Sequence, residues 1–292
     1  MPITIPVVLF AYARKEHLER SLGCLRENGI PLLYVYADGV KGLADEAAIR
    51  ETRAILREIE WCEVRLIERA ENLGLGRNIL AGVTEVAAKH EMFIVWEDDL
   101  ICVPGTYEWL CSALRHYVDD QQVMSVSAWN HPRVIPKNIG NAPYFDGRAE
   151  CWVWGAYARS WSGMEQTALA KMKAAMEAGV SSHAYGFDLP EMARIEEERN
   201  IWAVRWLYHH MQNGGLCLRP PWSMVEHIGF DSAATNAATE DGWGNPPLRD
   251  APNPELWPRL GEHPDCRGLW RKAYPGRLGR KWRRLKNMIL GQ

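Results

Sequence analysis

Ile94-Val95-Trp96-Glu97-Asp98-Asp99-Leu100 is an apolar, strand-forming run that drives straight into three consecutive carboxylates. Burying such a strand is favourable, but crowding three like charges at its end costs free energy unless something compensates them. A divalent cation bridging the carboxylates to a phosphate group would do so. That arrangement suits an enzyme that must neutralise a diphosphate leaving group. The plainer reading of the same residues is an acidic loop that begins after a strand and faces water. The neighbouring segments decide between the two.

Upstream, strand-like and helix-like patterns alternate, as in a mostly parallel sheet covered by helices. Pro6-Val7-Val8-Leu9-Phe10-Ala11 reads as a buried strand, and apolar Leu18, Leu22 and Leu25 predict a helix over 17–28 closed by Gly29. A second strand over 32–37 ends at Asp38-Gly39, a charged helix covers about 44–59, and a short third strand covers 62–67. Asn72-Leu73-Gly74-Leu75-Gly76 is a turn before a helix that runs to about Lys89, and the acidic strand comes next. Arg14, Asp38 and the Glu97-Asp98-Asp99 run therefore fall just beyond the carboxyl ends of strands, the edge where open α/β sheets bind ligands.

The chain has 292 residues, enough for one large domain or a domain with a tail. Its 34 basic and 37 acidic residues leave a formal charge of −3, so no global attraction to nucleic acid is expected. Seven scattered cysteines without a CxxC pair suggest neither a zinc site nor a disulfide scaffold, and their odd number fits a reducing compartment. The N-terminus lacks the basic start and long apolar core of a signal peptide, and no window reaches the ~18 apolar residues of a spanning helix. A cytoplasmic protein is expected, one that touches a membrane surface at most.

From Met124 the segments become shorter and richer in aromatic residues; 13 of the 14 tryptophans lie at or after Trp96. Indole faces pack well on the C–H faces of sugar rings, although most of these rings should belong to the core. Gly242 to Pro264 is rich in Gly, Pro and Asn and reads as an irregular, exposed connector.

The order of these features resembles the nucleotide-sugar glycosyltransferases of the A-type fold. Val7 to Arg14 is similar to their nucleotide-binding first strand, and Glu97-Asp98-Asp99 to their Asp-x-Asp metal motif. The succession through Pro104, Val126-Ser127-Ala128-Trp129-Asn130, Trp152-Val153-Trp154-Gly155, Trp202, Cys217-Leu218-Arg219-Pro220 and Ile228-Gly229-Phe230 resembles N-acetylglucosaminyltransferase I and its bacterial relatives. The resemblance covers roughly residues 5–236 and implies an α/β fold, a single A-type glycosyltransferase domain with a mostly parallel central sheet flanked by helices. Its nucleotide-sugar-binding half would span 1–123 and its aromatic-rich acceptor half 124–240, followed by a connector over 241–268 and a basic amphipathic tail over 269–292.

The resemblance also assigns roles. Asp99 would hold a divalent metal, Mn²⁺ or Mg²⁺, while Glu97 and Asp98 would contact the donor sugar or ribose and the metal's waters. Arg14 would lie near the phosphates, Asp38 would contact the nucleoside, and Asn78 or its neighbour Arg77 the base or ribose. A solvated loop arginine, an ordinary Asp-Gly turn and a surface helix start are the corresponding structural alternatives. The donor is expected to be a nucleotide-diphosphate sugar, a UDP-sugar in the first instance. The acceptor would be a hydroxyl of a polysaccharide or lipid-linked glycan, and transfer would invert the anomeric carbon.

The pattern breaks at one place. The inverting relatives carry a catalytic aspartate directly after the tryptophan matching Trp202, and this chain has Ala203. Glu150, Asp188 and Glu226 are candidate replacements, Glu150 and Glu226 foremost; each could equally be a salt-bridge partner. His227 is a candidate phosphate or metal contact. Two other functions stay open. A sugar nucleotidyltransferase would share the fold and the acids but normally has a Gly-rich loop after the first strand, where Ala11-Tyr12-Ala13-Arg14-Lys15 has no glycine. A non-catalytic sugar-nucleotide-binding protein is favoured only by Ala203. Finally, eight basic residues from Arg271 to Lys286, with Leu278, Trp282, Leu285 and Ile289 on one helical face, predict a helix on anionic lipid or one docked on the domain.

Overall fold

The computed structural model describes residues 3–229, 245–253 and 257–276. The strands are β1 (Val7–Ala11), β2 (Leu32–Ala37), β3 (Glu63–Glu68), β4 (Met92–Glu97), β5 (Leu100–Cys102), β6 (Val123–Ser127), β7 (Tyr144–Asp146), β8 (Trp154–Tyr157), β9 (Leu216–Arg219) and β10 (Val225–His227). Among the described residues eight of them form one sheet in the order β3-β2-β1-β4-β8-β6-β9-β7, and β5 pairs with β10 in a separate two-stranded ribbon. The first half is parallel throughout: β2 on β3, β1 on β2 and β1 on β4. The second half mixes directions, with β8 antiparallel to both β4 and β6, β9 parallel to β6, and β7 antiparallel to β9.

Alternation of side chains builds two apolar layers from one set of strands. Val7, Leu9 and Ala11 of β1 and Ile94 and Trp96 of β4 face one layer, which α1 (Lys15–Glu27), α2 (Glu46–Arg57) and α4 (Thr106–His116) cover with Leu18, Leu25, Leu56 and Leu110. Val8, Phe10, Phe93 and Val95 face the opposite layer, against Ile79, Val83 and Val86 of α3 (Leu75–Ala87) and the rings of Trp154, Trp161, Trp202 and Trp206. Both faces of β1 and β4 are buried, hence their uninterrupted apolar sequence. On the edge strand β3, Glu63 and Arg65 stay exposed.

A third cluster joins α6 (Ala168–Glu177), α7 (Leu189–Arg199), α8 (Trp202–Asn213) and α9 (Cys266–Ala273), after the short α5 (Ala158–Trp161). Trp270 is fully buried there, and its indole N–H donates to Asp146 Oδ2 at 2.8 Å. The expected connector is irregular and mostly exposed where it is described, and it is anchored at one point: Trp257 stacks on His116 at 5.5 Å, and Tyr117 Oη donates to Pro258 O. An indole laid against an aromatic helix face outweighs the local Gly and Pro content. The start of the basic stretch, Arg271 and Lys272, sits on α9, which is docked on the domain. Leu278, Trp282, Leu285 and Ile289 lie outside the described residues. No described helix is long and apolar enough to cross a membrane.

Candidate functional site

Strand register carries the acidic run to the carboxyl edge of the sheet, where Phe10 of β1 pairs with Glu97 and Ala11 with Ala37. After β4 the chain turns at Asp98-Asp99 and returns as β5. The Asp98 carboxylate accepts the Tyr12 N–H at 3.0 Å, so the end of β1 is pinned to the acidic turn. Arg14 donates through Nη1 to Asp99 Oδ2 at 3.0 Å. Burial, and next the negative charge of Asp99, push Asp98 up to about 7. The same two influences, with Asp98 added, raise Glu97 well above the ordinary carboxylate range. Arg14 counters both shifts without cancelling them. The expected charge crowding is therefore present.

The ribbon closes the site from the far side of the sequence. His227 pairs with Leu100, and Ile228 N–H donates to Asp99 O at 2.9 Å. His227 Nε2 comes within 3.8 Å of Asp99 Oδ2, and its ring lies 4.6 Å from that of Trp152. Burial lowers the His227 pKa more than Asp99 raises it, which favours the neutral ring. Gly229 follows, and a Cβ there would run into Asp99 Oδ2, Arg14 Nη1 and His227 Cε1. The backbone approaches this close only because the residue is glycine. Asp99 Oδ1 is buried without a hydrogen-bond partner among the described residues. In this glycine-lined cradle the orphaned Asp99 Oδ1 is a hard oxygen donor suited to a divalent cation. His227 Nδ1, by contrast, accepts the Gly229 N–H at 3.1 Å, so the neutral ring carries its proton on Nε2, toward Asp99. Among the described residues no group of three or more His, Cys, Asp or Glu side chains forms a protein-only cage. A cation completed by substrate phosphates needs only one or two protein carboxylates.

Two of the nucleotide contacts expected from sequence have other work. Asp38 is buried, and its carboxylate accepts the backbone N–H of Gly39, Leu73 and Gly74 at 2.9 Å each, plus the Asn72 amide at 3.3 Å. Four donors fill its lone-pair directions and leave no acceptor for a nucleoside. Asp38 shapes the loop over 72–74 instead. Asn78 is also buried, accepting from Arg69 Nε at 3.1 Å and donating to Tyr36 O, so it docks α3 on β2. Arg77, the alternative, is exposed beside Leu80 and Trp202.

The expected bases are likewise not brought to Asp99. Glu150 is buried with Oε2 at 3.1 Å from Arg219, and its other oxygen accepts the Cys151 N–H. Arg219 is fully buried and also lies 2.9 Å from Asp146. Glu150 is a structural ion-pair partner, the alternative raised above for it. Glu226 alternates with Val225 and His227 on β10 and faces away from Asp99. Asp188 opens α7 near Tyr208 and Tyr274. Ala203 packs into the tryptophan-rich layer with Cys151. Sequence reading missed Asp146 and Arg148; the alternating charges of Asp146-Gly147-Arg148-Ala149-Glu150 were the available signal.

No protein-family model and no curated protein matches the chain. Solved structures similar in part include the mannosyltransferase PcManGT from Pyrobaculum calidifontis in complex with GDP-Man and Mn²⁺, at 15% identity and a TM-score of 0.38. That alignment covers 54% of this chain and 45% of the mannosyltransferase, less than half its length. A UDP-glucose pyrophosphorylase complexed with UDP-glucose aligns at 14% identity and a TM-score of 0.33, over 56% of this chain and 80% of that one. At these values the likeness concerns part of the fold and says nothing of substrate.

Proposed function

We propose that this chain is a metal-dependent glycosyltransferase that moves a sugar from a nucleotide-diphosphate sugar, in the first instance a UDP-sugar, to a hydroxyl of a saccharide or lipid-linked glycan. The observation that carries the reading is the state of the acidic turn. Three adjacent carboxyl groups share one arginine, two of them are pushed toward protonation, and one oxygen of the third is buried and unpartnered. A bound cation together with a donor diphosphate would relieve all three conditions.

Asp99 would hold the cation, with the donor phosphates completing its oxygen ligands. When bound, a Mn²⁺ or Mg²⁺ ion supplies Lewis acidity toward the diphosphate as the sugar–phosphate bond breaks. Arg14 remains the fixed positive charge at the carboxyl edge of β1 and faces the developing negative charge of the leaving group. The Asp38-clamped loop, at the start of α3, presents backbone at the same edge for the nucleoside. Glu97 and Asp98 lie where the donor sugar or ribose would offer hydroxyl donors. We assign neither Glu150, held in its ion pair with Arg219, nor Glu226, which faces away from Asp99, as the base. Inversion at the anomeric carbon is part of the proposal, on the strength of the sequence resemblance.

Calorimetric titration of UDP with and without Mn²⁺ tests the reading. Asp99→Asn removes one charge at nearly constant volume, and the metal-induced gain in UDP affinity should disappear. A folded variant that keeps the gain removes Asp99 from the metal site. A sugar nucleotidyltransferase would instead make nucleotide sugar from a nucleoside triphosphate and a sugar phosphate, which the same preparation can be assayed for directly.

A further inference from the structure

A cavity of about 280 Å³ lies where α3, α7 and α8 meet, lined by Arg77, Leu80, Glu197, Asn200, Trp202 and Arg205, with Glu196 at its base. Glu196 and Arg205 are already paired at 2.6 Å, and Glu196 also accepts the Ala168 N–H, so this pair is a satisfied floor. Arg77 and Glu197 are exposed, and neither has an ion pair or hydrogen bond among the described residues. They offer donors and an acceptor in a cavity whose four charges sum to zero. Leu80 and the Trp202 indole give it an apolar wall. The volume is at the lower end of small-molecule sites, room for one sugar ring and too little for a nucleotide sugar.

Two features tie the cavity to the proposed donor site. Trp202 stacks on Trp154 at 5.6 Å, and Trp154 pairs with Val95, two residues before Glu97. Asn200, in the left-handed region at φ 56°, lies so close to Gly74 and Gly76 that a Cβ on either would collide with it. The cavity wall therefore touches the loop that Asp38 clamps.

Resting on the glycosyltransferase reading, we propose that this cavity is an acceptor subsite for one neutral sugar ring, held by apolar contact with Leu80 and Trp202 and by hydroxyl hydrogen bonds to Arg77, Glu197 and Asn200. A uronate or a sugar phosphate would leave the filled cavity with a net negative charge, whereas a neutral ring keeps the four charges balanced.

Saturation-transfer NMR on the full chain with UDP and Mn²⁺ tests this, with methyl α-mannoside, methyl β-galactoside, methyl β-glucoside, N-acetylglucosamine and glucuronate as probes. A neutral member should bind. Leu80→Trp, which fills the cavity, should abolish its signal, and Glu197→Gln and Arg77→Ala should each weaken it about tenfold, the value of one lost hydrogen bond to a charged group. Calorimetry of UDP with Mn²⁺ on Leu80→Trp and Glu197→Gln should match the parent chain. The proposal falls if no neutral probe binds, if glucuronate binds best, or if binding survives Leu80→Trp. If the parent chain shows no metal-dependent UDP binding, the donor-site reading fails, and saccharide binding sensitive to Leu80→Trp would still establish the subsite.

Discussion

Glu150→Gln separates a structural role from a catalytic one. The carboxylate sits in a buried cluster with Asp146, Arg148 and Arg219, two anions against two cations. Burial alone would discourage the charged form of Arg219, and the nearby Asp146 and Glu150 overturn that effect. Neutralising Glu150 leaves one buried positive charge in excess. Breaking a buried pair by removing one partner costs about 3–5 kcal/mol. Glutamine keeps an acceptor oxygen for the contact at 3.1 Å, so the lower value, about 3 kcal/mol, is expected. In a chain of this size that lowers Tm by roughly 5 °C. Scanning calorimetry reads the shift, and transfer by the fraction that remains folded should change less than about threefold, whereas loss of a general base costs ~10²–10⁴-fold. An unchanged Tm with a hundredfold loss of kcat would refute the structural assignment and restore Glu150 as the base.

Gly229→Ala should abolish the Mn²⁺-dependent gain in UDP affinity, because its methyl group enters the space beside Asp99 and His227; unchanged calorimetry would show that the cradle is not used. Burial holds His209 down to about 4 and His210 down to about 3, so both are neutral in the folded chain while the unfolded chain takes up protons below about 6.5. Stability is therefore full above pH 6.5 and falls as pH drops toward 4, and urea titration should show a flatter fall between pH 6.5 and 5 for His210→Gln; parallel curves would contradict this. Ala203→Asp restores the carboxylate of the resembled enzymes, and a rise in transfer of tenfold or more would place the acceptor beside α8, with NMR of the product anomer checking inversion. Deleting residues 277–292 should release the protein from vesicles containing phosphatidylserine at low salt while UDP binding persists; a parent chain that ignores such vesicles ends the membrane proposal.

The alternating first half was legible because β1, β2 and β4 are buried on both faces and read as continuous apolar runs, those of β2 and β4 ending directly in acidic residues. The acidic turn was legible for the same reason: polar residues directly after such a run have to lie at the sheet edge. What the sequence hid were pairings across long separations. Nothing local marks Arg219 as the partner of Glu150, 69 residues away, or Asp38 as the acceptor for a turn 35 residues later. A carboxylate saturated by backbone N–H groups and one presented to a ligand look alike in one dimension. The anchoring of the connector was hidden for a related reason, since Gly and Pro content predicts exposed loop backbone and says nothing about whether Trp257 finds a surface to cover.

The β5–β10 ribbon sets an order on events during synthesis. Asp99 leaves the ribosome roughly 130 residues before Gly229, which at ~5–20 residues per second is several seconds to half a minute. For the first part of that interval β4 also lacks β8 (Trp154–Tyr157), its neighbour on one side, and throughout it the acidic turn lacks His227 and the Ile228 amide. The nascent first half therefore carries a bare strand edge and an unfinished cation cradle until β8 and then the ribbon arrive. A fragment ending near residue 123 would inherit both defects permanently. It would be a poor module for donor capture in isolation, and a sticky one.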